Sequence, residues 1–302
     1  MATSDSDDES FFDDEAAFEA FSAQRRSELH CRASASHVAA ERLLSITNQL
    51  TDDLKPAEEA TPWAKKERVE APGMRTALSL WSNPDDSEPV TEGGSYLTGT
   101  TVWVASLALG VLLETRHRAS RGNVYRDIEA IELGAGTGIA GIVLGKLGPR
   151  QVLLTDKQRL VNALLVRNAN ANLVSSVCRT VEYGWGAQLT HLGITAGKLD
   201  LILGSDVVYG GSDGILLLQT ILDLISHYGN SETTTVMMSF GNRKRGTSEH
   251  LHFLAHAQKR FLNCSRVELP EDLGSGAADF YDGIDLYELS GVRALSKPHS
   301  KD

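Results

Sequence analysis

The sequence predicts a doubly wound α/β protein, with a mostly parallel seven-stranded sheet, flanking helices and an N-terminal extension. Three observations predict it. A chain of 302 residues accommodates one α/β domain of roughly 200 residues plus an extension. From about residue 97 onward, short apolar runs alternate with helix-length amphipathic segments, which implies parallel strands with helices on both faces. The first of these runs leads through a glycine-rich turn directly into a helix.

The elements follow in chain order. Residues 1–24 form an acidic segment: residues 1–20 hold eight acids and no base, against a whole-chain charge of -11. Phe11, Phe12, Phe18 and Phe21 are interleaved there, so the tail reads as disordered or as a partner-docking segment. Residues 25–94 read as a helical segment followed by a proline-rich linker, with a short strand near 75–81. The regular domain is expected over 95–295. Its helices are predicted at 101–113, 138–147, 158–172, 214–227 and 248–262. Its strands are predicted at 127–133, 151–155, 177–183, 199–204, 233–240, 265–269 and 284–289.

Composition narrows the function classes. Outside the tail the charge nearly cancels, which argues against a globally basic nucleic-acid binder. No run approaches the roughly 18 apolar residues that span a bilayer, and the first 24 residues lack a basic n-region. Cys31, Cys178 and Cys264 are dispersed, so neither a disulfide framework nor a zinc site is expected, and a reducing compartment is the default. His252 and His256 share a helix face without an HExxH pattern, so no metal is assigned to them.

The chemistry concentrates in two stretches. The first runs from Glu132 through Gly134, Ala135, Gly136 and Gly138 to Gly141. Glycine lets a ligand approach the backbone, and the helix start offers free N–H groups. Two motifs overlap here. Gly136, Gly138 and Gly141 satisfy the dinucleotide pattern G-x-G-x-x-G, with Asp156 twenty residues beyond Gly136. Glu132, Gly134, Gly136 and Gly138 satisfy E-x-G-x-G-x-G, the methyltransferase form. A carboxylate beside the loop repels a pyrophosphate but favours the ammonium and sulfonium of S-adenosylmethionine. Asp156 ends the second strand, where it can accept both ribose hydroxyls or cap the following helix.

The second stretch is Ser205-Asp206-Val207-Val208-Tyr209, at the end of a strongly apolar strand. A doubly wound sheet places that strand beside the first, so Asp206 and Tyr209 face the cofactor crevice. Hydride transfer has no need of such a pair.

With Thr98-Gly99, Trp103, the Asn168-x-x-x-Asn172 pair and Gly184-Trp185-Gly186, these residues make the chain resemble class I methyltransferases. More narrowly, it resembles their family 16 protein-lysine methyltransferases, which act on chaperones and elongation factors. The resemblance covers about residues 95–290. It implies a Rossmann-like methyltransferase fold and S-adenosyl-L-methionine as cofactor. It further implies that Trp103 lines the pocket, Trp185 meets the adenine and Ser205 hydrogen-bonds the cofactor. Asp206 and Tyr209 become the catalytic residues, with Asp206 orienting the incoming amine. The expected partner is a protein substrate, a chaperone or translation factor among the candidates. The expected setting is a monomer in the cytoplasm or nucleus. Histidine, arginine or a small amine as acceptor, a dinucleotide-dependent oxidoreductase and an inactive binding scaffold are the alternatives. Arg243, Lys244 and Arg245 form a basic cluster where a substrate could approach.

Overall fold

A computed structural model describes residues 63–83, 91–92, 95–96, 98–157, 159–208, 211–241 and 249–293. The acidic tail, the helical segment up to residue 54, Tyr209 and the Arg243–Arg245 cluster lie outside these residues.

The seven-stranded sheet expected from the sequence is present. Its strands are β5 (Glu129–Leu133), β6 (Gln151–Asp156), β7 (Cys178–Glu182), β8 (Leu199–Ser205), β9 (Thr235–Gly241), β10 (Phe261–Val267) and β11 (Ile284–Val292). Across the sheet they run β10-β11-β9-β8-β5-β6-β7. All neighbouring pairs from β9 to β7 are parallel, and β11 runs antiparallel to both β9 and β10.

Helices cover both faces, so β5 is buried along its whole length and β9 at all but its two end residues. α1 (Val104–Ala119), α2 (Ile139–Gly145) and α3 (Arg159–Ala171) lie on one face. There Leu109, Val143 and Leu165 pack with Ala130, Leu154 and Leu203 of the sheet. α4 (Gly211–Tyr228) and α5 (Glu249–Arg260) cover the other, where Leu218 and Phe253 meet Ile131, Leu133 and Ile202. A short helix α6 (Ala277–Phe280) sits between β10 and β11.

Several elements differ from the sequence expectation. α1 runs on to Ala119, because Arg116, His117 and Arg118 favour the negative end of the helix even after the apolar pattern stops. α5 stops at Arg260, since Phe261 already pairs with Val292 across the β10–β11 ladder. The stretch assigned to a linker contains an ordered hairpin, β1 (Lys65–Val69) paired antiparallel with β2 (Leu78–Ser82). Two-residue strands β3 (Thr91–Glu92) and β4 (Ser95–Tyr96) follow.

The hairpin packs on the domain expected to begin at residue 95. Leu78 and Leu80 are fully buried in the core cluster of the face that α1, α2 and α3 cover. The buried Glu114 carboxylate of α1 accepts from Arg75 N at 2.8 Å and Thr76 N at 2.9 Å. Tyr281 donates its hydroxyl to Pro72 O at 2.8 Å.

Candidate active site

The crevice opens where the strand order reverses. The chain proceeds from β5 outward to β6 and β7, then returns to β8 on the other side of β5. Connections leaving β5 and β8 therefore diverge to opposite faces, leaving a cleft at their carboxyl ends.

The glycine loop forms one wall. Gly134, Gly136 and Gly138 have φ of 61°, 55° and 81°. Ala135 N donates to Thr155 O at 2.8 Å, carrying the sheet pairing two residues past β5. Gly136 meets the 3-10 turn Thr98–Thr100: a Cβ there would lie 3.0 Å from Gly99 O. Both that contact and the positive φ require glycine. Gly141 has a different task. It lies in the first turn of α2, where a Cβ would overlap Leu154 Cδ2. It lets α2 press against β6, so its presence is explained by packing and does not by itself call for a dinucleotide.

Glu132 is fully buried beneath the loop. Its Oε2 accepts from Gly141 N at 2.9 Å, while Oε1 has no hydrogen-bond partner among the described residues. Burial pushes the Glu132 carboxyl up to about 8; the Gly141 N–H opposes that rise and the neighbouring Asp156 charge adds to it. The sequence argument treated Glu132 as a negative charge beside the ligand. The structure instead buries it fully, with its carboxyl shifted toward the protonated form, where it braces the start of α2.

Asp156 closes β6 and is 8% exposed. Its Oδ2 accepts from Gly136 N at 3.3 Å, so the carboxylate is tied to the glycine loop. Its main-chain oxygen accepts from Asn162 Nδ2 and from Tyr183 N.

Trp185 and the segment after β8 reach the same point from two directions. A Cβ built on Gly134 would lie 3.7 Å from Trp185 Cζ2 and 2.8 Å from Val207 Cγ1. The turn carrying Trp185 is held by Ala187 N to Gly184 O and by Gly186 N to Thr220 Oγ1, both at 3.0 Å. Ser205 ends β8, and Asp206 follows with φ of 52°. Asp206 N donates to Ser239 O at 2.8 Å, and Gly241 N donates to Asp206 Oδ1 at 3.3 Å. The end of β9 thus aims the carboxylate. Trp103 stands just before α1, and its Nε1 donates to Thr98 O at 3.1 Å. It adjoins the loop through the Thr98–Gly99 turn.

The structure thus brings Trp185 and Val207 together at Gly134 and ties Asp156 to Gly136, with Ser205 and Asp206 at the end of the neighbouring strand β8. Sequence reasoning quoted Gly141 within the G-x-G-x-x-G pattern and Asn168 within the Asn168-x-x-x-Asn172 pair, but not as braces of the loop. A buried asparagine inside an apolar helix was the available signal for the second, because its amide must find partners. Asn168 finds them in Trp81 and Thr137.

Comparison with known proteins bears on this site. A family model described as lysine methyltransferase matches residues 86–260, more than half of the chain. The protein N-lysine methyltransferase METTL21A of Mus musculus is 38% identical over 129 residues, covering 42% of this chain and 55% of that protein. Its Xenopus tropicalis counterpart is 34% identical over 152 residues, covering 49% and 62%. The protein-lysine N-methyltransferase EFM3 of Chaetomium thermophilum is 28% identical over 185 residues, covering 58% and 52%. The chain thus spans between about half and two thirds of these relatives' length. The family match runs through the glycine loop, Asp156, Trp185 and Asp206, the residues that line the crevice. On that match and that geometry together, the chain belongs to the lysine methyltransferase family.

Proposed function

We propose that the protein transfers a methyl group from S-adenosylmethionine to a lysine side chain of a protein substrate. The observation that carries this reading is the convergence at Gly134 of the glycine loop, Trp185 and the segment bearing Asp206. The crevice residues fit the cofactor. Backbone without side chains at Gly134 and Gly136 admits its amino-acid end closely. Asp156 offers a carboxylate for a ribose diol, and Trp185 an indole face for the adenine. The cofactor supplies an electrophilic methyl carbon on a sulfonium.

The chain's own residues position the acceptor. Transfer needs a neutral amine in line with the methyl–sulfur bond, so catalysis rests on positioning and on excluding water. Asp206 accepts hydrogen bonds from the incoming amine, and its anchors on Ser239 and Gly241 set the direction. It is not the base, because a nearby carboxylate favours the charged ammonium. The amine loses its proton to water before entry. Tyr209, three residues on, is assigned the wall beside the methyl group, where a cation–π interaction favours developing charge.

The relatives' names as protein N-lysine methyltransferases support a protein lysine as acceptor over histidine, arginine or a small amine. A monomer in the cytoplasm or nucleus is the setting we infer, supported by the dispersed cysteines. Calorimetry with S-adenosylhomocysteine and with NAD tests the cofactor assignment. We expect S-adenosylhomocysteine to bind and NAD not to; tighter binding of NAD overturns it.

A further inference from the structure

We propose that Asn168 couples the β1–β2 hairpin to the glycine loop, so that seating of the hairpin and occupation of the cofactor site favour each other. The proposal rests on the cofactor reading above.

Asn168 is fully buried on α3. Its Oδ1 accepts from Trp81 N at 2.6 Å, and its Nδ2 donates to Trp81 O at 3.0 Å. The same Nδ2 donates to Thr137 O of the glycine loop at 2.9 Å. One amide therefore bonds β2 and the loop at once, with both donors and its acceptor engaged.

Asn172, one helical turn later, repeats the strand contact without the loop contact. Its Oδ1 accepts from Ser79 N at 3.0 Å and its Nδ2 donates to Ser79 O at 2.8 Å. Its further bond goes to Asn168 O, also at 2.8 Å. Side chains four apart lie on one helix face, and alternate strand residues point the same way, so the two amides serve β2 as a substitute strand edge. Asn172 is thus an internal control for Asn168.

A second route joins the same parts. Asn83, just past β2, donates its N–H to Thr100 O at 2.8 Å. Gly99 of that turn packs against Gly136. Beside Asn168, the Arg167 guanidinium lies 3.5 Å from the centroid of the Trp81 ring.

The physical consequence is linkage. If β2 leaves, Asn168 loses both Trp81 bonds and its amide is free to turn away from Thr137. The loop then has more conformations to lose on binding a ligand. By reciprocity, a ligand that orders the loop holds Asn168 in place and tightens β2 by the same factor.

The test compares wild type, Asn168→Ala and Asn172→Ala by three measurements: melting temperature, S-adenosylhomocysteine affinity, and amide exchange of β2 with and without that ligand. Both variants should lower the melting temperature comparably, since each loses two bonds to β2. Asn168→Ala should weaken the ligand by about tenfold, the value of roughly one buried hydrogen bond. It should also abolish ligand-dependent slowing of exchange at Ser79. Asn172→Ala should keep affinity within about threefold of wild type and retain that slowing at Trp81. Equal loss of affinity in both variants overturns the proposal. So does β2 exchange in the wild type that ignores the ligand, a measurement that needs no variant to fold. Failure of wild type to bind S-adenosylhomocysteine at all overturns the cofactor reading, and the proposal with it.

Discussion

Asp156 and Asp206 are two carboxylates at the carboxyl ends of neighbouring parts of one sheet, and each accepts a backbone N–H at 3.3 Å. Their settings differ. Asp156 is the last residue of a regular strand, is almost fully buried, and is tied to the glycine loop of the next strand. Asp206 lies one residue past its strand, is half-buried, and holds a left-handed φ of 52°. It is tied to the end of β9. A carboxylate in regular strand geometry is a fixture of the pocket floor. One in the left-handed region has been turned out of the strand direction, and that conformation persists because the surrounding structure enforces it. On the proposed reading, the difference separates a cofactor role from an acceptor role.

The largest effect expected is on turnover. Asp206→Ala should lower methyl transfer by about 100-fold or more, through lost positioning of the amine. S-adenosylhomocysteine affinity should stay within about threefold of wild type. A parallel collapse of affinity would place Asp206 with Asp156 and erase the contrast.

Asp156→Ala should act the other way. Losing a charged hydrogen-bond acceptor for the ribose should cost about 1.5–3 kcal/mol of affinity for S-adenosylhomocysteine, read by calorimetry. Turnover at saturating cofactor should change much less than in Asp206→Ala. Unchanged affinity would leave Asp156 a purely structural residue of the loop.

A third carboxyl sharpens the comparison from below. Glu132 is raised from 4.5 to about 8 by burial, so the folded protein retains a proton that the unfolded chain releases. With fewer protons on the unfolded state, stability falls as pH rises, by about 1 kcal/mol per unit between roughly pH 5 and 8. Denaturant melts across this range should show the slope in wild type and lose most of it in Glu132→Gln. An equal slope in both proteins would mean that Glu132 is ionised in the fold.

The smallest effect concerns strain. Asp206→Gly accepts the left-handed conformation without cost, so its stability should match or exceed wild type by up to about 1 kcal/mol, while transfer is still lost. A clear drop in melting temperature would show that the contact with Gly241, rather than the backbone, dominates at this position.

These residues were legible to very different degrees. The glycine loop, Asp156 and Asp206 could be read because strand end, turn and helix start are contiguous in the chain, and their side chains act where the strands stop. Glu132 was legible as a motif residue but not as a sealed one. Its burial depends on α2 pressing down through Gly141, which a local pattern does not reveal. The hairpin was nearly invisible, read only as a possible short strand inside a linker. Its anchors come from residues far along the chain: Glu114 for Arg75 and Thr76, Asn168 for Trp81, and Tyr281 for Pro72. No periodicity within 65–82 encodes those partners. The start of β10 was misread for a related reason. Phe261 and Leu262 continue the apolar pattern of α5, and only pairing with β11 makes them a strand.

The central claim is tested most directly by incubating wild type and Asp206→Ala with isotopically labelled S-adenosylmethionine and a cell lysate, then locating the label by peptide mass spectrometry. Wild type should place labelled methyl on a lysine of a protein, and Asp206→Ala should leave that lysine unlabelled while still binding S-adenosylhomocysteine. Label on another residue type, or equal labelling by both proteins, would contradict the account.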